Sequence, residues 1–196
     1  MNPGLLKERV EILRLDNTNN NFFWTVEATV WAKVEQQKIK NIFSNVGLGA
    51  KSLKIIIRKW DITLHNAIKW RGKHCFLTDM TDLGNGLYEI MAALIEPQIC
   101  TVERTDAHSL NELNRPVYSE PVMITFPGYL TEKYIRTIQD EPMSMVESQY
   151  VLVTPKSVNL QEGELVTINN VTYEVLVAHI LDEYKNEYEI LVRRDR

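Results

Sequence analysis

The chain has 196 residues, 44% hydrophobic and 24% charged, with a net charge of −4; this is ordinary globular usage for one large or two small domains and excludes disordered, collagenous and strongly basic classes. Two cysteines, Cys75 and Cys100, supply no disulfide framework and suit a reducing compartment. The opening "MNPGLLKERVEIL" lacks a signal peptide's apolar core, and no apolar run approaches the roughly 18 residues of a membrane span, so a soluble protein made in a cytoplasm is expected.

"RVEILRL" (Arg9 to Leu15) reads as a strand with Val10 and Ile12 on one face and Leu13 and Leu15 on the other. "DNTNNN" is a turn, because Asn bonds its own backbone and tolerates left-handed geometry. "FFWTVEATVWAKVE" is β-branched and aromatic, with Trp24, Val26, Ala28 and Val30 at period two, and predicts a strand with a bulge near Val30-Trp31. In "KIKNIFSNVGLG", Ile39, Ile42, Phe43 and Val46 have helical spacing and Gly47 can cap the helix.

Next come predicted strands at Leu53–Arg58, Ala67–Trp70 and His74–Met80, an Arg71-Gly72 turn and an Asn85-Gly86 hairpin turn, and the returning strand "LYEIMAAL". "TVERTDAHSLNELNR" (Thr101 to Arg115) is polar and precedes Pro116, which predicts a linker. "PVMITFPGYL" is a strand, placed at an edge because Pro121 and Pro127 cannot donate to a ladder. "TEKYIRTIQDEPMSMV" is a helix or long loop, and the remainder is a meander with turns at Asn169-Asn170 and Lys185-Asn186.

The expected fold class is therefore mainly β, as two small antiparallel barrels or sandwiches, each with a short helix or long loop inserted. The boundaries are 1–100, a linker at 101–115, and 116–196. The second half matches the first as a faint duplication: "ITL…AIKWRGKHCFLTDMTDLGNGLYEI" aligns with "VNL…LVTINNVTYEVLVAHILDEYKNEYEI". Both end in Tyr-Glu-Ile, at Tyr88–Ile90 and Tyr188–Ile190.

Chemistry is sparse. His74 and Cys75 are strand neighbours and point to opposite faces, so they cannot share an ion. There is no zinc spacing, no nucleophile elbow and no P-loop, and neither a metal nor a catalytic residue is assigned. His65, together with the paired carboxylates Glu187/Glu189 and Asp79/Asp82, would matter only if a cleft between domains gathered them. Lys69, Arg71 and Lys73 alternate around a hairpin tip with Trp70 between them, and Trp60 follows Arg58-Lys59. An OB-like nucleic-acid-binding barrel would use such a basic rim with exposed tryptophans; the blander reading is the wet face of a half-buried strand.

The succession "LLKERVEILRL", "VWAKVE" (with Trp31-Ala32-Lys33-Val34), a variable segment, and "IIIRKWDITLHNAIKWRGKHCFLTDM" with its Trp-Arg-Gly-Lys turn at Trp70–Lys73 resembles the head–tail joining, or stopper-type head-closure, proteins of long-tailed bacteriophages. The resemblance spans about residues 5–94. It implies a virion structural protein of the neck, made in the bacterial cytoplasm, without enzymatic activity or cofactor. It further implies a six- or twelve-fold ring, with a portal or adaptor above and a tail terminator or tail tube below. Double-stranded DNA would pass through without sequence-specific binding. In the family the segment between the two strands is a variable loop that can project toward the channel. Here Gln36 to Ser52 holds that place. Lys38, Ile39, Lys40, Ile42, Phe43, Val46, Gly47 and Gly49 are the candidates for a channel loop or, with the helical spacing above, an intersubunit helix. A helix plugging the end of its own barrel is the alternative. The second β domain departs from the family's single-domain pattern.

Overall fold

A computed structural model of the chain describes residues 6–37, 51–105, 107–110, 116–118, 120–132, 150–180 and 182–193. All regular structure among them is β. The strands are β1 (Glu8–Thr18), β2 (Asn21–Gln37), β3 (Lys51–Arg58), β4 (Ala67–Trp70), β5 (Lys73–Gly84), β6 (Leu87–Leu94) and β7 (Gln98–Arg104). The rest are β8 (Ala107–Leu110), β9 (Pro116–Tyr118), β10 (Val122–Glu132), β11 (Tyr150–Pro155), β12 (Leu165–Ile168), β13 (Val171–His179) and β14 (Lys185–Val192). Both expected helices, at Ile39–Val46 and within Thr131–Val146, fall on residues outside those described, apart from Thr131 and Glu132, which belong to β10. The assigned channel-loop residues Lys38–Gly49 also lie outside them.

The strands close into two rings. The first runs β1-β4-β5-β6-β3-β2 and shuts through β1–β2; the second runs β7-β12-β13-β14-β11-β10 and shuts through β7–β10. Numbered by order of appearance within each ring, the two sequences of neighbours are identical. Register agrees as well. Ile12 faces Ile68 and Ile68 faces Cys75; in the second ring Val102 faces Val166 and Val166 faces Tyr173. On the far side, Val34–Ile55–Ile90–Met80 is matched by Leu130–Leu152–Tyr188–Ala178. Even the bulges coincide: β5 skips between Leu77 and Asp79, β13 between Val175 and Val177, six steps past their respective two-residue turns. In this frame Ile90 holds the place of Tyr188, so the repeated Tyr-Glu-Ile lies on matching strands but two residues out of step. A two-residue offset preserves the face.

Each ring has its own apolar interior. Val10, Ile12, Leu53, Ile55, Ile57 and Ile68 are among those filling the first, and Cys100, Val102, Phe126, Leu152, Tyr188 and Ile190 the second. The matched "ITL" and "VNL" segments do the same job in both, with Ile62 and Leu64 packed on one core and Val158 and Leu160 on the other. Tyr188 is reconciled with burial by its hydroxyl, which accepts from Leu160 N–H at 3.0 Å and donates to Val158 C=O at 3.2 Å.

Several expectations need correction. The bulge of the first hairpin lies not at Val30-Trp31 but opposite Ile12/Leu13, where β2 carries the extra Glu27. It puts Val26, 56% exposed, on the face opposite Ala28, while Leu13 keeps the face opposite Ile12, paired with Ala67 and buried there. The turn there shrinks to Asn19-Asn20, both at positive φ. Asn169-Asn170 makes the same kind of turn. Thr101–Arg104, read as linker, belong to β7, and β8 pairs with β9 as a separate hairpin. The polar composition misled because Thr101 and Glu103 alternate with the inward residues Cys100 and Val102. β10 is no edge strand: it pairs with β7 and β11, and where Pro127 stands only β7 runs alongside in register. Lys185-Asn186 is not a turn but the buried start of β14. Asn186 donates to Lys156 and Val158 carbonyls, and Lys185 pairs with Glu187 at 2.5 Å.

Gly128 marks the tightest point of the second barrel. A Cβ there would stand 2.6 Å from Cys100 Sγ and 2.7 Å from Leu152 Cδ1, both fully buried. Gly128→Ala is expected to destabilise the chain by about 1–3 kcal/mol through overpacking, read as a lowered urea midpoint at unchanged slope.

Candidate functional site

The barrels meet through residues that point outward from their own cores. His74 and Phe76 of β5 and Ala93 of β6 pack against Tyr129 of β10 and Val151 and Val153 of β11, with Ile95 and Tyr184 at the margin. His74 Nε2 and Tyr129 Oη are 2.7 Å apart, and the His74 amide donates to Glu96 Oε1 at 3.0 Å. Rings of Trp24 and Tyr129 lie 5.5 and 5.6 Å from the imidazole, and Phe76 meets Tyr129 edge-on at 4.9 Å. Trp24 Nε1 is buried there, and its interaction with the Tyr129 phenol opposes the upward push of burial. Tyr184 Oη donates to Thr78 C=O across the junction, and Thr125 N–H donates to Asn20 C=O. Burial, then the nearby Lys69 ammonium, pushes the His74 pKa down to about 4, and burial pushes the Tyr129 phenol up. His74 is thus a structural histidine between barrels. Cys75 does point the opposite way, into the first core, where burial pushes its thiol up to about 12.

An open cleft of about 420 Å³ also lies between the barrels, lined by Arg14, Glu27, Asp61 and His65 on one side and by Lys156 and Tyr184 on the other. It is the place where an enzyme reading would have to stand. Lys156 Nζ is engaged by the carbonyls of Ile180 and Asp182. Thr63 and Asn66 are tied into a local turn. No hydrogen bond joins the His65 ring to a carboxylate or hydroxyl there, and no group of three or more metal-ligating side chains occurs among the described residues. The expected pair Glu187/Glu189 is elsewhere: Glu187 binds Lys185 and Glu189 faces His179 at 3.3 Å. Asp82 binds Lys59.

At the basic rim the tryptophan is sealed from solvent. Trp70 is only 5% exposed, and its indole N–H donates to Glu8 Oε2 at 2.6 Å. Arg71 pairs with the same carboxylate at 3.1 Å and lies over the Trp70 ring at 4.6 Å. Lys69 is half-buried and Lys73 exposed. Alternation decides this: Trp70 shares the inward face with Ile68, so Lys69 points away from it, while Arg71, in the turn, folds back over its ring.

A different aromatic pair is open to solvent. Trp31 is 55% and Trp60 50% exposed, and with Leu6, Val30, Arg58 and Lys59 they line a groove of about 400 Å³. Arg9 faces Trp31 across β1–β2 and its guanidinium sits 5.5 Å from the indole. Trp60 was visible in the sequence as a candidate; Trp31 was not, because the bulge expected at Val30-Trp31 left its face undecided.

No protein-family model, no curated protein and no solved structure matches the chain.

Acidification tests the junction. The folded chain holds His74 neutral while the unfolded chain protonates near 6.5, so the unfolded state binds the proton first as pH falls. Stability is expected to be intact above pH 6.5 and to fall by up to about 3 kcal/mol toward pH 4. His74→Gln should lower stability at neutral pH and flatten the urea-midpoint profile over this window.

Proposed function

We propose that the chain is a structural protein of the phage neck, a head–tail connector that sits as a ring under the portal, closes the DNA-filled head and joins it to the tail. The observation that carries the reading is where apolar surface lies. Trp31, Trp60, Ile99 and Met123 are each at least half exposed on the outer surface of closed barrels, while among the described residues of the cleft no hydrogen bond joins a hydroxyl to the His65 ring. Side chains arranged in this way suit contact with other proteins better than turnover of a small molecule. The sequence resemblance over residues 5–94 points the same way.

Because both barrels are closed, partners would be held through outer faces rather than by adding a strand to a free edge. The net charge of −4 favours a lumen along which a duplex slides instead of sticking. An OB-like nucleic-acid-binding protein is the second reading. Trp60 beside Arg58 favours it, and the burial of Trp70 weighs against it.

Light scattering and negative-stain imaging of the purified chain, with immunogold labelling of phage particles, test the reading. Rings with a central hole and label confined to the neck are expected. Label on the capsid or tail fibres, or its absence from complete particles, would overturn it.

A further inference from the structure

The junction inside the chain is a contact between unlike surfaces. The first barrel contributes the outer face of its fifth and sixth strands, β5 and β6, and the second the outer face of its second and third, β10 and β11. Since the barrels share one strand order and one register, each half of this contact recurs at the other barrel. The face of β13 and β14 on the second barrel matches that of β5 and β6. The face of β2 and β3 on the first barrel matches that of β10 and β11.

Of the recurring faces, the Trp24 end of β2 reaches the junction; the chemistry of the parts beyond it is complementary. On the second barrel, Thr172 stands where His74 stands on the first, and Glu174 where Phe76 does. Glu174 is exposed and faces Leu165, itself 36% exposed. Alongside, exposed Glu103 faces Met123, which is 63% exposed. This is an acidic surface with apolar anchors. On the first barrel, Lys33 stands in the place of Tyr129 but is ion-paired with Glu35, and the cations beside it are Arg58 and Arg9, next to Trp31 and Trp60. That surface is cationic and aromatic. Ser52 and Ile56 of β3 are already buried, so the free part of the face is its Trp31–Trp60 end. The two surfaces also lie apart. β2 and β10 run parallel where Asn21 meets Thr125. Trp31 lies ten residues onward, roughly 33 Å along an extended strand, whereas Met123 precedes the meeting point.

We propose that the occupant of the Trp31–Trp60 groove is the Glu103–Glu174 face of a second copy of this chain, so that copies join head to tail by a contact of the same kind as the one joining the two barrels. Such a contact is heterologous and propagates, closing into a ring when the rotation allows and into a filament when it does not. The inference deepens the connector reading, and its outcome is separable from that reading's.

Two variants leave one surface each. Arg9→Glu with Arg58→Glu disables the groove; Glu103→Arg with Glu174→Arg disables the acidic face. Far-UV circular dichroism and urea midpoints check that both keep the fold. By sedimentation velocity, each variant alone is expected to self-associate at least about tenfold more weakly than the unaltered chain. An equimolar mixture should form heterodimers and nothing larger, because only one intact groove and one intact face remain between them. The chain carrying all four changes should regain self-association by reversed charges. Rings or filaments that both variants still form would overturn the inference while leaving a ring reading intact. Filaments of the unaltered chain that both variants abolish would support it and count against the ring. A chain that stays monomeric to about 1 mM overturns it as a self-contact. Quenching of tryptophan fluorescence by a single-stranded oligonucleotide, lost in the groove variant, would assign the groove to nucleic acid and overturn it too.

Discussion

A single hydrogen bond between two outward-facing side chains, His74 and Tyr129, sits at the point on which the rest of the molecule turns. On an isolated barrel both positions would be wet. Here the imidazole and phenol are taken out of water together, which is tolerable only because each satisfies the other and Glu96 meets the His74 amide. Phe76, Ala93, Val151 and Val153 then bury apolar area around the pair. Two closed barrels that could have moved independently on a connector are thereby held face to face. The His65 cleft, which both barrels line, depends on that fixed relation.

The duplicated plan explains why the junction has the form it does. Two barrels with one strand order need not meet by their equivalent faces, and here they do not: strands five and six of one meet strands two and three of the other. The substitution of His74 and Phe76 for what are Thr172 and Glu174 in the second barrel is the specialisation that makes the inner contact dry. The corresponding outer faces keep charge and exposure.

Much of the fold could be read from the chain because the signals were local. Period-two alternation placed β3 to β6, and Arg71-Gly72, Asn85-Gly86 and Asn169-Asn170 all adopt the positive φ that their turns require. The "ITL" and "VNL" segments, aligned on composition, do plug matching cores. What failed involved information that is not local. A bulge at Glu27 moved Val26 to the face opposite Ala28, and no residue in that stretch announces it. Thr101–Arg104 looked like linker because half of a strand's residues face water. Lys185 and Asn186 carry turn chemistry yet are buried, since Glu187 and two carbonyls await them from elsewhere in the chain. The site suffered most: Trp70 and Trp60 were given equal standing as platforms, and only alternation against Ile68 separates the sealed ring from the open one.

Closure of both rings has one more consequence. A barrel without edges divides its strand residues into two vocabularies. Inward positions must be apolar and of the right volume, which many strings satisfy; outward positions answer only to whatever they touch. Neither vocabulary requires particular letters in particular places, apart from a few turns, the bulges and Gly128. Such an architecture can change its neighbours by rewriting one half of each strand and repack its interior by rewriting the other. Its lineage would be carried by shape and register long after its spelling had drifted.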